Sequence, residues 1–118
     1  MSHVLLVEDN SSIRELVALL LAEEDLAIIE ARNGQEALHL LERHTPQLVI
    51  TDWLLPDVEG PELVSQMRRS VQADVPILVL SAANEARYAT QVGATEFIPK
   101  PFDPLALVAR VHHWLGEK

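Results

Sequence analysis

Five residues able to do chemistry stand where short apolar runs end. Glu8 and Asp9 follow Val4-Leu5-Leu6-Val7, and Asp52 follows Leu48-Val49-Ile50-Thr51. Ser81 follows Ile77-Leu78-Val79-Leu80, and Lys100 follows Phe97-Ile98-Pro99. Taken singly, each has an ordinary reading. Acids before a helix cap it and complement its dipole. A lone serine is a turn hydroxyl, and a lone lysine is solvated surface. Gathered on one edge they mean more. Carboxylates a few ångströms apart repel unless a proton or cation lies between them. With oxygen donors only, that cation is a hard one, Mg²⁺ or Mn²⁺. Mg²⁺ on few carboxylates keeps waters and takes phosphate oxygens, while an ammonium and a hydroxyl can hold a phosphoryl group. One carboxylate can then act as nucleophile and give an acyl phosphate.

The elements needed to gather them are legible. The runs at Val4–Val7, Leu26–Ile29, Leu48–Ile50 and Ile77–Leu80, with a weaker one at Phe97-Ile98, are short, apolar on both faces and β-branched-rich. That suits strands of a parallel sheet covered on both sides. Helices are expected between them. Ile13, Leu16, Val17 and Leu20 share a face behind a capping box of Ser12 and Glu15. Asn33 with Glu36 opens a second helix carrying Ala37, Leu38 and Leu41. Pro61 opens a third before Leu63, Val64 and Met67. A short, weakly patterned helix is expected around Glu85–Val92, ended by Gly93. Asp103-Pro104 opens the last, with Leu107, Val111 and Trp114 on one stripe. Five strands each followed by a helix predict right-handed crossovers and an open, doubly wound α/β fold, (βα)5, since a closed barrel needs about 250 residues. Ligands of such sheets bind beyond the carboxyl ends of the strands. The five residues stand there.

Composition narrows the field. The 118 residues allow one domain, residues 1–118. A formal net charge of −9 repels phosphate backbones, so no direct nucleic-acid binding is expected. There is no cysteine, which excludes disulfides and thiolate chemistry. The longest apolar run, Val17–Ala22, is far short of the about 20 residues of a membrane span, and no signal-peptide pattern opens the chain. The default expectation is a cytoplasmic protein without membrane contact.

Over its whole length the chain resembles the receiver domains of bacterial two-component response regulators, with their chemotaxis-regulator-like fold. The resemblance rests on Val4-Leu5-Leu6-Val7-Glu8-Asp9-Asn10, on Thr51-Asp52-Trp53-Leu54-Leu55-Pro56 with Gly60, on Ser81-Ala82, and on Gly93-Ala94 leading to Phe97-Ile98-Pro99-Lys100-Pro101-Phe102. It implies a flavodoxin-like five-stranded sheet of order 2-1-3-4-5. It implies Asp52 as phosphoacceptor, Asp9 as direct Mg²⁺ ligand, Glu8 acting through water and the Leu54 backbone carbonyl as a further ligand. Ser81 is then the hydroxyl that follows the phosphoryl group, Lys100 its cationic partner, and Phe97 the aromatic that swings from exposed to buried. A cis peptide at Lys100-Pro101 fits the family. The implied partners are a sensor histidine kinase or phosphotransfer protein and a downstream output domain or protein, reached through a surface of the fourth helix, fifth strand and last helix. The domain is a switch, not an enzyme, beyond catalysing its own phosphorylation and dephosphorylation. Oligomeric state is open, as is whether the regulator stands alone or belongs to a larger chain.

The departures are specific. Glu8 replaces the commoner Asp, and Ser81 to Lys100 is about three residues shorter than usual. An apolar Leu54 flanks the path of a hydrolytic water and is expected to slow dephosphorylation. Ala82 and Ala83 leave room for switching, and Leu105, off the last helix's stripe, is an exposed supplement to the output face. Arg87, Tyr88 and His112-His113 read as solvated helix faces, and Trp114 as core. Rival readings are a flavodoxin-like redox protein, which Glu8-Asp9-Asn10 opposes by repelling a flavin phosphate, and an aspartyl-phosphate phosphatase, which lacks a second acid at Leu54. A phosphorelay intermediate and a pseudo-receiver binding module are the alternatives within the fold.

Overall fold

The computed structural model describes residues 2–82 and 91–116. Its order is β1 (Ser2–Val7), α1 (Ser11–Ala22), β2 (Leu26–Ala31), α2 (Gly34–Leu41), β3 (Leu48–Asp52), α3 (Gly60–Ser70), β4 (Ile77–Ser81), β5 (Glu96–Pro99) and α4 (Pro104–Leu115). The five strands are all parallel and lie in the order β2-β1-β3-β4-β5. This is the expected doubly wound sheet. The expected helix around Glu85–Val92 falls largely outside the described residues, as do Ala83, Arg87 and Tyr88.

Alternation along each strand divides one sheet between two cores, because successive side chains point to opposite faces. Leu5, Val7, Val49, Ile77 and Val79 pack with Ala37, Leu63, Val64 and Met67 of α2 and α3. Val4, Leu6, Leu48, Ile50, Leu78 and Leu80 pack with Val17 and Leu21 of α1 and Leu107 and Val111 of α4. β3 and β4 are buried at every position, which explains why their runs do not alternate.

Local chemistry sets the helix starts and faces, and three expectations from sequence are corrected. α1 is capped by Asn10, whose side chain accepts from the Ile13 amide at 3.0 Å. The Ser12–Glu15 box is therefore not the cap: Asn10 is an equally good acceptor two residues earlier, and the helix takes it. The buried stripe of α1 is Val17 and Leu21, with Ile13 half-buried, whereas Leu16 is 47% exposed. Asn33 caps α2 by accepting from the Glu36 amide at 2.8 Å, and Glu36 reaches back to the Arg32 amide. Asp103 caps α4 ahead of Pro104, and Gly116 closes it with a φ of 75°. His112 departs from the solvated face expected of it: it is half-buried, and its Nε2 lies 2.6 Å from Glu24 beyond α1. Trp114 is half-buried against the second core, and its indole N–H donates to Glu96 at 2.8 Å. Leu105 is exposed, as read.

Candidate functional site

Register builds the site. Val7 of β1 lies opposite Thr51 of β3, so the next residues along, Glu8 and Asp52, emerge side by side. Asp52 lies opposite Leu80 and Ser81 opposite Pro99, so Ser81 and Lys100 complete the same edge. Backbone bonds beyond the ladder hold it: the Glu8 amide donates to Ala31, the Trp53 amide to Leu80, and the Lys100 amide to Ser81 at 2.7 Å. The peptide between Lys100 and Pro101 is cis.

The structure brings all five sequence-predicted groups to this edge. Glu8, Asp9 and Asp52 each offer an oxygen within 4.8 Å of the others. Glu8 is 1% exposed, Asp52 7% and Ser81 1%, while Asp9 faces water. Lys100 Nζ donates to Glu8 Oε1 and to Asp52 Oδ2, both at 3.1 Å. One ammonium thus sits between two buried anions. Burial raises the Glu8 carboxyl above its ordinary range; the Asn10 amide opposes this, the Asp52 charge adds to it, and Lys100 opposes it. Burial alone would lower Lys100, but the charges and acceptors of Asp52 and Glu8 outweigh it and hold its pKa up. Glu8 is therefore the strained member and Lys100 the firmly charged one.

Leu54 projects into solvent at 61% exposure, directly after the buried Trp53. Phe97 is half-buried and packs against the first core.

Three supporting residues escaped the sequence reading. The Asn10 amide donates to Glu8 Oε2 at 3.1 Å, so one residue caps α1 and steadies the buried carboxylate. Arg14 donates to the Glu8 carbonyl at 2.8 Å and pairs with Glu30 of β2 at 3.4 Å. Asp57, in the loop after β3, accepts from the Gly34 and Gln35 amides, both at 2.9 Å. The first two lie two and six residues after Glu8 and are findable as local polar groups. Asp57 has its partners more than twenty residues away, and no local signal marks it.

The arrangement can hold a hard divalent cation and a phosphoryl group, and known proteins agree on the class. The family model of the response regulator receiver domain matches residues 4–112. The chain therefore belongs to the response regulator receiver family. It is 38% identical over 112 residues to the phosphate regulon transcriptional regulatory protein PhoB of Pseudomonas aeruginosa, covering 92% of this chain and 49% of that protein. It is 34% identical over 113 residues to PhoB of Escherichia coli, with the same coverages. The chain spans about half the length of these relatives. Among solved structures it superposes on the chemotaxis response regulator CheY4 of Vibrio cholerae with a TM-score of 0.88, at 29% identity, covering 97% of this chain and 98% of that one. The response regulator TrrA of Thermotoga maritima, solved in complex with Mg²⁺-BeF, gives a TM-score of 0.86 at 32% identity, covering 97% and 99%. Such a domain is a signalling module rather than an ordinary enzyme, consistent with phosphorylation-dependent switching. No helix among the described residues is long and apolar enough to cross a membrane.

Proposed function

We propose that residues 1–118 form one receiver domain in which Asp52 takes a phosphoryl group from a phosphohistidine on a sensor kinase or phosphotransfer protein. A carboxylate oxygen of Asp52 attacks phosphorus; the P–O bond forms as the P–N bond breaks, and the imidazole leaves. The observation that carries this reading is the single Lys100 ammonium 3.1 Å from both Glu8 and Asp52 on a buried edge. Held there, Lys100 offsets the charge that otherwise keeps an anionic donor from an anionic acceptor. Ser81, one strand over, would take up a phosphoryl oxygen, and Phe97 would follow it inward.

The donor set fits a cation: three carboxylates close together, with oxygen as the only ligand type. Asp9 and Asp52 would hold Mg²⁺ directly, Glu8 through water, and the Leu54 carbonyl would complete the protein's share, with Mn²⁺ a substitute. When bound, the ion supplies charge for the transferring oxygens and a fixed line of approach. The mixed solvation of the cluster, two acids buried and one exposed, supports weak binding with several waters retained. The TrrA complex, solved with Mg²⁺-BeF, supports Mg²⁺ as the ion.

The readout is a changed surface around β5 and α4, which a downstream output domain or protein reads in the cytoplasm, where this family usually works. Treatment with acetyl phosphate and Mg²⁺ is expected to add one hydroxylamine-labile phosphoryl group per chain, measured by intact mass. Labelling of Asp52→Asn to the wild-type extent overturns the assignment.

A further inference from the structure

The loop between β3 and α3, residues 53–59, is gripped at three places. At its base, Trp53 packs so closely on Gly60 that a Cβ there would lie 2.7 Å from the indole Cδ2 and 2.7 Å from the Trp53 carbonyl oxygen. Only glycine lets the two ends of the loop meet. At its flank, Val58 rests on Gly34, where an added Cβ would come within 2.8 Å of Val58 Cγ2. At its tip, the Asp57 carboxylate takes the Gly34 amide on Oδ1 and the Gln35 amide on Oδ2.

Those two amides are the first of α2, where the unsatisfied N–H groups and the positive end of the helix dipole lie. Asn33 caps the next, Glu36. The start of α2 is thus satisfied half locally and half from another loop. A free cap would satisfy α2 with no reference to β3; this one fastens the β3–α3 loop to a helix packed on the sheet. Burial raises the Asp57 carboxyl, but the Gln35, Gly34 and Asp57 amides more than reverse this and hold it below its ordinary range.

Leu54 lies three residues before Asp57 in that loop. Its side chain is exposed, so its own packing does not fix the direction of its carbonyl. We propose that Asp57 is a positioning residue for the metal site: by clamping the loop to the first two amides of α2, it holds the Leu54 carbonyl where a divalent cation can use it. This inference rests on the reading of Leu54 as a ligand given above. It adds that α2, which contributes no ligand, sets the affinity through Asp57.

Mg²⁺ titrations followed by tryptophan fluorescence, with thermal melts in EDTA, test it in the whole chain. Outer partners that orient metal ligands are worth about tenfold or more in metal affinity, and Asp57→Ala is expected to weaken Mg²⁺ binding by about that factor. Asp57→Asn keeps one oxygen acceptor, enough for one of the two amides, while losing the charge, and is expected to recover part of the affinity. If Asp57→Ala lowers the melting temperature but leaves Mg²⁺ affinity unchanged, Asp57 is only a helix cap and the proposal falls. If Asp57→Asn loses as much affinity as Asp57→Ala, long-range charge acts rather than position, and the proposal also falls. Should Asp57→Ala fail to fold, Asp57→Ser, too short to reach both amides, takes its place with the same expected loss. A wild-type chain that shows no Mg²⁺ response removes the site reading itself, whereas a normal wild-type response with unaffected variants removes only the role of Asp57.

Discussion

Lys100 and Arg68 are both cations drawn partly out of water, at different places along β5, and their surroundings differ in kind. Lys100 stands just beyond the carboxyl end of β5, among charges: two carboxylates at 3.1 Å, one of them 1% exposed. Arg68, from α3, is met before β5 begins, among neutral groups. Its Nε donates to the Gly93 carbonyl at 2.9 Å, and its Nη1 to the Val75 carbonyl at 2.7 Å and the Ala73 carbonyl at 3.2 Å. Gly93 is at a φ of 118°, and a Cβ there would touch the Arg68 stem at 3.0 Å, so the turn is built around the guanidinium. Burial lowers the Arg68 pKa with no opposing anion, whereas at Lys100 two anions outweigh burial. Arg68 is therefore a fixed tie between α3, the α3–β4 loop and the approach to β5. Lys100 is one of several charges whose balance an added cation or phosphoryl group would alter. Neutral acceptors make a staple, and competing anions make a site.

The largest expected effect is at the staple. Arg68→Met keeps the apolar stem and leaves at least two carbonyls without their donor, at about 1 kcal/mol each, so a loss of about 2–3 kcal/mol is expected in urea denaturation. Acetyl phosphate labelling of the folded variant is expected to remain. Loss of labelling with stability intact would erase the distinction between the two cations.

At the site the sign reverses. Glu8 is raised by burial, so its ionised form works against the fold at neutral pH. Glu8→Gln is expected to be more stable than wild type in EDTA by about 1 kcal/mol, because Lys100 keeps Asp52 and one buried charge is gone. Adding Mg²⁺ at tenfold its dissociation constant is expected to stabilise wild type by about 1.4 kcal/mol and the variant by less. Equal EDTA stability of the two chains would count against strain at Glu8.

The smallest effect calibrates both. Glu96 of β5 is held below its ordinary 4.5 first by the donors of Arg110, with burial opposing and the Trp114 N–H assisting. A carboxyl lowered on folding contributes stability that is present above 4.5 and lost as pH falls below it through the lowered value. The Arg110 and Glu96 side chains are 40% and 26% exposed, so solvent screening keeps the contribution small. Melts of wild type and Glu96→Gln are expected to differ at pH 7 and to converge as pH falls below 4.5 through the lowered value; a constant difference would mean that packing by Trp114, not charge, accounts for it.

Much of this was legible from residue types alone. Continuous apolar runs announced strands buried on both faces, and the residues that end them announced the edge where Glu8, Asp9, Asp52, Ser81 and Lys100 meet. Both inferences rest on period and on the direction of parallel strands, which are local properties of the chain. The expected face of α1 fails at Leu16 because four leucines and two alanines follow Ile13 within one helix, so several stripes fit and only the packing partner selects one. Asn10 was passed over for Ser12 because both are good caps and the choice depends on where β1 delivers the chain. What only the tertiary structure decided is long-range pairing: Lys100 shared between Glu8 and Asp52, His112 on Glu24, Arg68 around Gly93, and Asp57 on the amides of Gly34 and Gln35. Such bonds join groups whose separation in sequence carries no period. They are set by strand register and by the way the layers stack, and these exist only once the sheet has closed its two cores.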